Sequence, residues 1–302
     1  MYLRSMYYRR KILLALAESF PSGLSKTQFQ KLLFLMTRGQ SKKAYDFVPY
    51  KYGCFSFQAA NDIRILTNSH LLRKQENSEN TFFFNENESI VSTLKKEDRD
   101  LLQRIKIQFG EFSQEELIKH TYIEYPYYAI NSKIANRLLD EKQLEKIDKQ
   151  RREFSDTTLF TIGYEGISLE NYINKLIING VELLVDVRKN SFSMKYGFSK
   201  SQLQNACQSV DIQFIHIPEL GIESSERKKL NSIQDYKELF DRYESSTLME
   251  SNKSLENIVE LIKAHKRIAL TCFEREVCMC HRGRITKRLS AWPDWDIPIR
   301  HL

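Results

Sequence analysis

The sequence predicts an α/β protein of two unlike parts: a mainly helical, winged-helix-like front and an open, parallel-type (Rossmann-like) sheet behind it. Three observations carry this expectation. The chain is 302 residues long, enough for about two domains with real cores. Helical spacing of apolar residues dominates the first half. From about residue 157 short apolar runs alternate with amphipathic helices, the pattern of a parallel sheet covered on both faces.

In the front half, Ile12, Leu13, Leu16 and Ala17 form one apolar face, and Phe29, Leu32, Leu33 and Met36 form another after a break at Pro21 to Gly23. Ser25 with Gln28 three residues on makes a capping box for the second helix. A third helix is expected after Ser56, carrying Ala60, Ile63, Ile65 and Leu66, and TFFFNEN (81–87) reads as a strand. Helix, helix, helix, strand is the order of a winged-helix module, a fold that docks on DNA or serves as a protein adaptor. Tyr50, Lys51, Tyr52 and Phe55 interleave basic and aromatic groups, which suits either base stacking or a small aromatic core.

The run KLLFLMTRG followed by YDFVPYKYGCFSFQAANDIRILTNSHLL, with YIEYPYYAINS further on, resembles the SocA-like antitoxin (Panacea) domain over about residues 5–130. Cys54 stands where a proline is usual in that family. The resemblance implies an interaction or nucleic-acid-facing accessory domain, here taken as residues 1–131. Residues 132–156 are rich in opposite charges at helical spacing and are expected to form one connecting helix.

Residues 157–302 read as strand TLFTIGY, helix, strand ELLVDVRK, helix, strand QFIHIP, two more helices, strand RIALTCF, the basic helix GRITKRLSAW and a last strand, DIPIRHL. In open parallel sheets ligands bind outside the carboxyl ends of the strands. That rule gathers Gly163, Tyr164 and Glu165, then Asp186 and Arg188, then His216 and Glu219, then Cys272 and Glu274. The segment Cys278, Met279, Cys280, His281, Arg282 leads into the following helix, with Arg284 one turn on. Ionisable residues from four stretches of chain are thus expected in one hollow.

Composition narrows the chemistry. Lys plus Arg number 46 against 39 Asp plus Glu, a net charge of +7 that favours polyanions. Neither GxxxxGK[ST] nor GxGxxG occurs, which argues against a P-loop nucleotidase or a dinucleotide enzyme and leaves any cofactor unidentified. The amino-terminal apolar residues are spaced like a helix face with no small-residue cleavage site after them, and no stretch is apolar for long enough to span a membrane, so the chain reads as cytoplasmic. The five cysteines are odd in number, and Cys272, Cys278 and Cys280 crowd together, which fits thiol or metal chemistry better than disulfides; Cys54 and Cys207 read as buried small apolar groups.

TIGYEG, LLVDVRKNSFSMKYGFS, IHIPELGI, LTCFE followed by CHR, and a closing RHL resemble, in that order, domain-of-unknown-function family four-eight-eight. The resemblance implies a compact α/β domain with a site built from the DVR, HxPxLG and CxE…CHR segments, here Asp186, Arg188, His216, Cys272, Glu274, Cys280, His281 and Arg282. Asn190, Ser191, Ser193 and Met194 replace the Pro and Arg usual after DVR, and Cys278 is an extra thiol.

Three chemistries fit these residues. In the first, Asp186 or Glu274 activates water while Tyr164, Glu165, Arg188, His216, Arg282 and Arg284 bind or frame a phosphate-bearing ligand. In the second, Cys272, Cys278, Cys280 and His281 hold a metal ion. In the third, a cysteine is the nucleophile, as Cys278 to Arg284 (C-x5-R) or the rhodanese-like opening LLVDVR would allow. The expected function is a nucleic-acid-directed protein that binds or processes DNA, RNA or a nucleotide. The alternatives are a regulatory or toxin–antitoxin-type adaptor, with a protein partner on the front domain, and a thiol-dependent enzyme.

Overall fold

The computed structural model describes residues 6–75, 80–86, 88–227, 230 and 232–302. The chain divides into two compact units, Met1–Arg151 and Arg152–Leu302.

The front unit runs α1 (Tyr8–Ser19), α2 (Lys26–Arg38), β1 (Val48–Tyr50), β2 (Gly53–Phe55), α3 (Phe57–Asn68), β3 (Leu72–Gln75), β4 (Thr81–Phe84), α4 (Lys96–Phe109), α5 (Gln114–Glu124), α6 (Ala135–Leu138) and α7 (Glu141–Asp148). Ser25 caps α2 with the reciprocal Gln28 bond its sequence predicts. The strand expected at 81–87 is β4, four residues long, and it pairs antiparallel with β3 to form a hairpin. Residue 87 lies outside the described residues. The helices are less one-sided than their spacing predicts. In α1 every residue from Ile12 to Ala17 is buried, and in α2 every residue from Phe29 to Thr37. The reason is that α4 and α5 add packing partners beyond a three-helix module, with Leu101, Leu102, Ile105, Phe109 and Leu117 in the same core.

Residues 132–156 do not form the single connecting helix expected. Leu139 turns to an extended conformation after α6, and Asp140 opens α7 with its own capping box to Gln143. A residue that satisfies the first amides of a new helix competes with continuing the old one.

Lys31 is buried on α2 and donates to the carbonyls of Tyr52 and of Cys54, the latter at 3.0 Å. Burial pushes its ammonium below the usual lysine range, against the pull of Cys54. The β1–β2 turn passes close over it because Gly53 has φ +88° and no side chain; a Cβ there would come 2.5 Å from the Tyr122 ring. Tyr50 and Phe55 stack on each other, with centroids 4.6 Å apart and Phe57 edge-on, while Tyr52 stays exposed.

The back unit runs β5 (Thr158–Gly163), α8 (Leu169–Ile178), β6 (Leu183–Asp186), α9 (Lys200–Gln208), β7 (Gln213–His216), α10 (Ile233–Ser245), α11 (Thr247–Glu250), α12 (Asn252–His265), β8 (Arg267–Cys272), α13 (His281–Ser290) and β9 (Ile299–His301). The five strands are parallel and ordered β7-β6-β8-β5-β9. The expected open α/β sheet is present. Its fourth strand in sequence, β8, sits between the first two, so that Cys272 lies beside Gly163 and Thr271 beside Asp186. All six residues of β5 and of β8 are buried, as strands covered on both faces require.

Lys31→Ala should lower stability by about 2–4 kcal/mol, since it leaves the buried Cys54 carbonyl and the partly buried Tyr52 carbonyl without their donor and opens a cavity. Equilibrium urea unfolding of the full chain measures it.

Candidate functional site

Parallel strands end on the same side, so the carboxyl edge of the sheet gathers Tyr164, Asp186, Arg188, His216, Cys272 and Glu274. Gly163 makes the crossing at this edge possible. A Cβ there would lie 1.9 Å from the carbonyl oxygen of Glu274, and the amides of Tyr164 and Glu165 both donate to the Phe273 carbonyl, at 3.1 and 3.0 Å. The loop after β8 therefore folds directly over the end of β5.

Asp186 and Arg188 are spent on each other. The carboxylate is fully buried and takes the Arg188 guanidinium in a two-pronged bond, Nε to Oδ1 at 2.8 Å and Nη2 to Oδ2 at 2.6 Å. Arg188 Nη1 also donates to the Tyr164 hydroxyl at 2.7 Å, and its guanidinium lies over the Tyr164 ring, which stacks on Phe198. Burial alone would lower the Arg188 pKa, but the Asp186 contacts outweigh it and raise it. Asp186, one of the two acids expected to activate water, is buried with both oxygens engaged by Arg188. His216 Nε2 lies 2.8 Å from the Arg188 carbonyl and steadies the backbone of the same turn.

The second group is a compact knot of Cys272, Glu274, Cys280 and His281, whose donor atoms all lie within 4.8 Å of one another. His281 Nε2 lies 2.9 Å from the Val187 carbonyl, which fixes that nitrogen as the N–H and aims Nδ1 inward. Nδ1 is 3.6 Å from Cys272 Sγ and 3.9 Å from Cys280 Sγ, and it accepts from Arg227 Nη2 at 2.9 Å. Arg227 also pairs with Glu274. Burial by itself would raise the Cys272 thiol; the hydrogen bond from Cys280, with His281 and Arg227, outweighs it and holds Cys272 well below the usual thiol range. Cys280 is pushed up by burial and by the negative Cys272 beside it. Burial and the Cys272 charge also raise Glu274, and the two share a contact of 3.1 Å.

The remaining expected residues separate from this centre. Cys278 falls in a short 3-10 turn (Val277–Met279) and is exposed, apart from the knot, where Glu274 instead stands with Cys272, Cys280 and His281. Arg282 is buried and donates to the carbonyls of Glu274 and Arg275, bracing the loop. Arg284 pairs with Glu244 at 3.1 Å and lines a second cavity with Lys287 and Arg288, so C-x5-R does not close into an anion cradle. Glu165 is exposed and accepts from the Arg275 amide.

Above the knot lies a cavity of about 470 Å³, within the range of about 300–1,000 Å³ usual for small-molecule sites. Arg188, Lys189, Lys195, Arg227, Cys272 and His281 line it, with Tyr164, Phe192 and Phe273 as aromatic walls. No Asp or Glu is among the described residues that line it. Lys195 and Arg227 were not found from sequence. Lys195 lies in a loop and Arg227 ends a short 3-10 turn (Ser224–Arg227), segments where charged residues are ordinary and no periodicity marks them. Lys195 Nζ donates to the Tyr164 carbonyl at 2.6 Å, and Lys189 meets Glu223 at 3.3 Å on the exposed rim.

Arg188→Met should destabilise the back unit by roughly 3–5 kcal/mol, because it strands the Asp186 carboxylate in the interior. Arg188→Met combined with Asp186→Leu should regain most of that loss, and a thermal or urea unfolding cycle reads both.

A family model described as Domain of unknown function DUF488 matches residues 168–289, which take in β6, β7, β8 and all of α13 but its last residue. No curated protein matches the chain, and no solved structure does. The back unit of this chain is therefore similar to DUF488 from just after its first strand to the end of its last helix.

Proposed function

We propose that the back unit binds a phosphate-bearing ligand, a nucleotide or a nucleic-acid strand, in the cavity at the carboxyl edge of its sheet, and that the front unit acts as a winged-helix-like, SocA-type docking module for nucleic acid or a protein partner. The observation that carries this reading is the imbalance of charge around the cavity: four cationic side chains and no carboxylate among the described lining residues. Such a hollow attracts anions, and its low-dielectric walls strengthen the field.

The cations differ in what they are free to do. Arg188 is committed to Asp186, and Arg227 to Glu274 and His281. Among the described residues Lys189 is held by an exposed ion pair, worth about 0–1 kcal/mol, and can exchange Glu223 for a phosphate. Lys195 makes one carbonyl contact and keeps donors for a ligand. Phe192 and Phe273 are 72% and 43% exposed, unusual for phenylalanine, and offer faces on which a base can stack. A ligand with a phosphate and an aromatic ring uses both features. The net charge of +7 adds a long-range attraction to polyanions.

Titration of the full chain with generic DNA and RNA by filter binding, across a series of salt concentrations, tests the proposal. Affinity should fall linearly with log salt, and Lys189→Ala and Lys195→Ala should each weaken every sequence alike and reduce the slope by about 1. Absence of salt-sensitive binding to DNA, RNA and mononucleotides would remove the reading.

A further inference from the structure

The knot of Cys272, Glu274, Cys280 and His281 has a geometry that the anion reading does not use. Four donors of zinc-type chemistry, two thiol sulfurs, an imidazole nitrogen and a carboxylate, converge from two short pieces of chain: the end of β8 and the start of α13. A tetrahedral ion with bonds of about 2.3 Å to sulfur and 2.0–2.1 Å to nitrogen places sulfur and nitrogen about 3.6 Å apart. Cys272 Sγ and Cys280 Sγ stand 3.6 and 3.9 Å from His281 Nδ1. All four donor atoms lie within 4.8 Å of one another, so closing on an ion asks for a movement of about 1 Å at most.

The histidine is also held as metal-binding histidines are. Its outer nitrogen is tied to a backbone carbonyl, that of Val187 at 2.9 Å, so the ring is locked and its inner lone pair faces the sulfurs. Tyr243 packs edge-on against the same ring, with centroids 5.8 Å apart. The alternative roles for such a cluster are weaker. Two cysteines, a histidine and an acid have no packing advantage over aliphatic side chains, and burying them apart from a cation is costly. At present Arg227 supplies the positive charge, reaching both Glu274 and Nδ1 from a segment outside the sheet.

We propose that Cys272, Cys280, His281 and Glu274 form a site for a divalent transition-metal ion of the zinc class, and that Arg227 occupies its place as a substitute cation until the ion binds. Cys272 and His281 line the cavity, so a bound ion faces the anionic ligand assigned above. The site itself does not depend on that assignment.

Cobalt(II) reports directly on sulfur ligation, because thiolate-to-cobalt charge transfer absorbs in the near ultraviolet and tetrahedral cobalt absorbs strongly in the visible. The full chain, stripped with a chelator and titrated with cobalt(II) alone, should develop both absorptions at one ion per chain and lose them on addition of zinc. Cys280→Ser should lower the charge-transfer band by half or more, since it removes one of two thiolates, and Cys278→Ser should leave it unchanged. Arg227→Ala should keep the band, with binding as tight as the parent chain or tighter. Should Cys280→Ser fail to fold by circular dichroism, X-ray absorption of the zinc-loaded parent chain replaces it, with two sulfur and two nitrogen or oxygen neighbours expected. A folded parent chain that shows no charge-transfer band overturns the proposal, as does a zinc environment without sulfur or a band lost in Cys278→Ser. No nucleotide is present in these measurements, so they stand apart from the outcome of the nucleic-acid titration.

Discussion

The placement of β8 between β5 and β6 is the constraint from which the rest of the back unit follows. It sets Cys272 beside Gly163 and Thr271 beside Asp186, and so fixes which side chains share the carboxyl edge. Parallel pairing with both faces covered leaves the strands no freedom to slip, because a shift of one residue would turn every buried side chain to the opposite face. The chemistry at the edge is thereby tied to strands that are buried along their whole length.

On that edge charge is handled in two ways. Where carboxylate and guanidinium can meet inside the protein they neutralise each other, as Asp186 and Arg188 do, and their work is to hold Tyr164 and the turn after β6. Toward the cavity the balance is broken: lysines approach the opening with no acid among the described lining residues. Stability comes from the first arrangement and attraction for a ligand from the second. The two are separable because they use different residues.

Much of this could be read from the residues beforehand, and the failures have identifiable causes. The strands and the major helices of the back unit follow from period and punctuation, and the gathering of Tyr164, Asp186, Arg188, His216 and Cys272 at one edge follows from strand ends being neighbours in a parallel sheet. Position along the chain does not say whether two charged side chains will satisfy each other, as those of Asp186 and Arg188 do. Nor does spacing reveal that one 3-10 turn sends Cys278 outward while Cys280 turns in. Arg227 reaches the knot from 47 residues upstream of Glu274, at the end of a short 3-10 turn, a contact that no local pattern encodes. In the front unit the helices were legible, but the full burial of α1 and α2 depends on α4 and α5 closing over them, a tertiary effect.

The strap after Arg188 is built differently from its support. Phe192 and Met194 are 72% and 97% exposed, while the turn from which the strap departs is pinned by Asp186, Tyr164 and His216. Exchanges along the strap disturb little packing, whereas exchanges at its root disturb a great deal. Diversification of binding preference among proteins with this frame should therefore accumulate on a few outward-facing residues, and a selection experiment that randomises only those residues would reach new ligands without first having to rescue the fold.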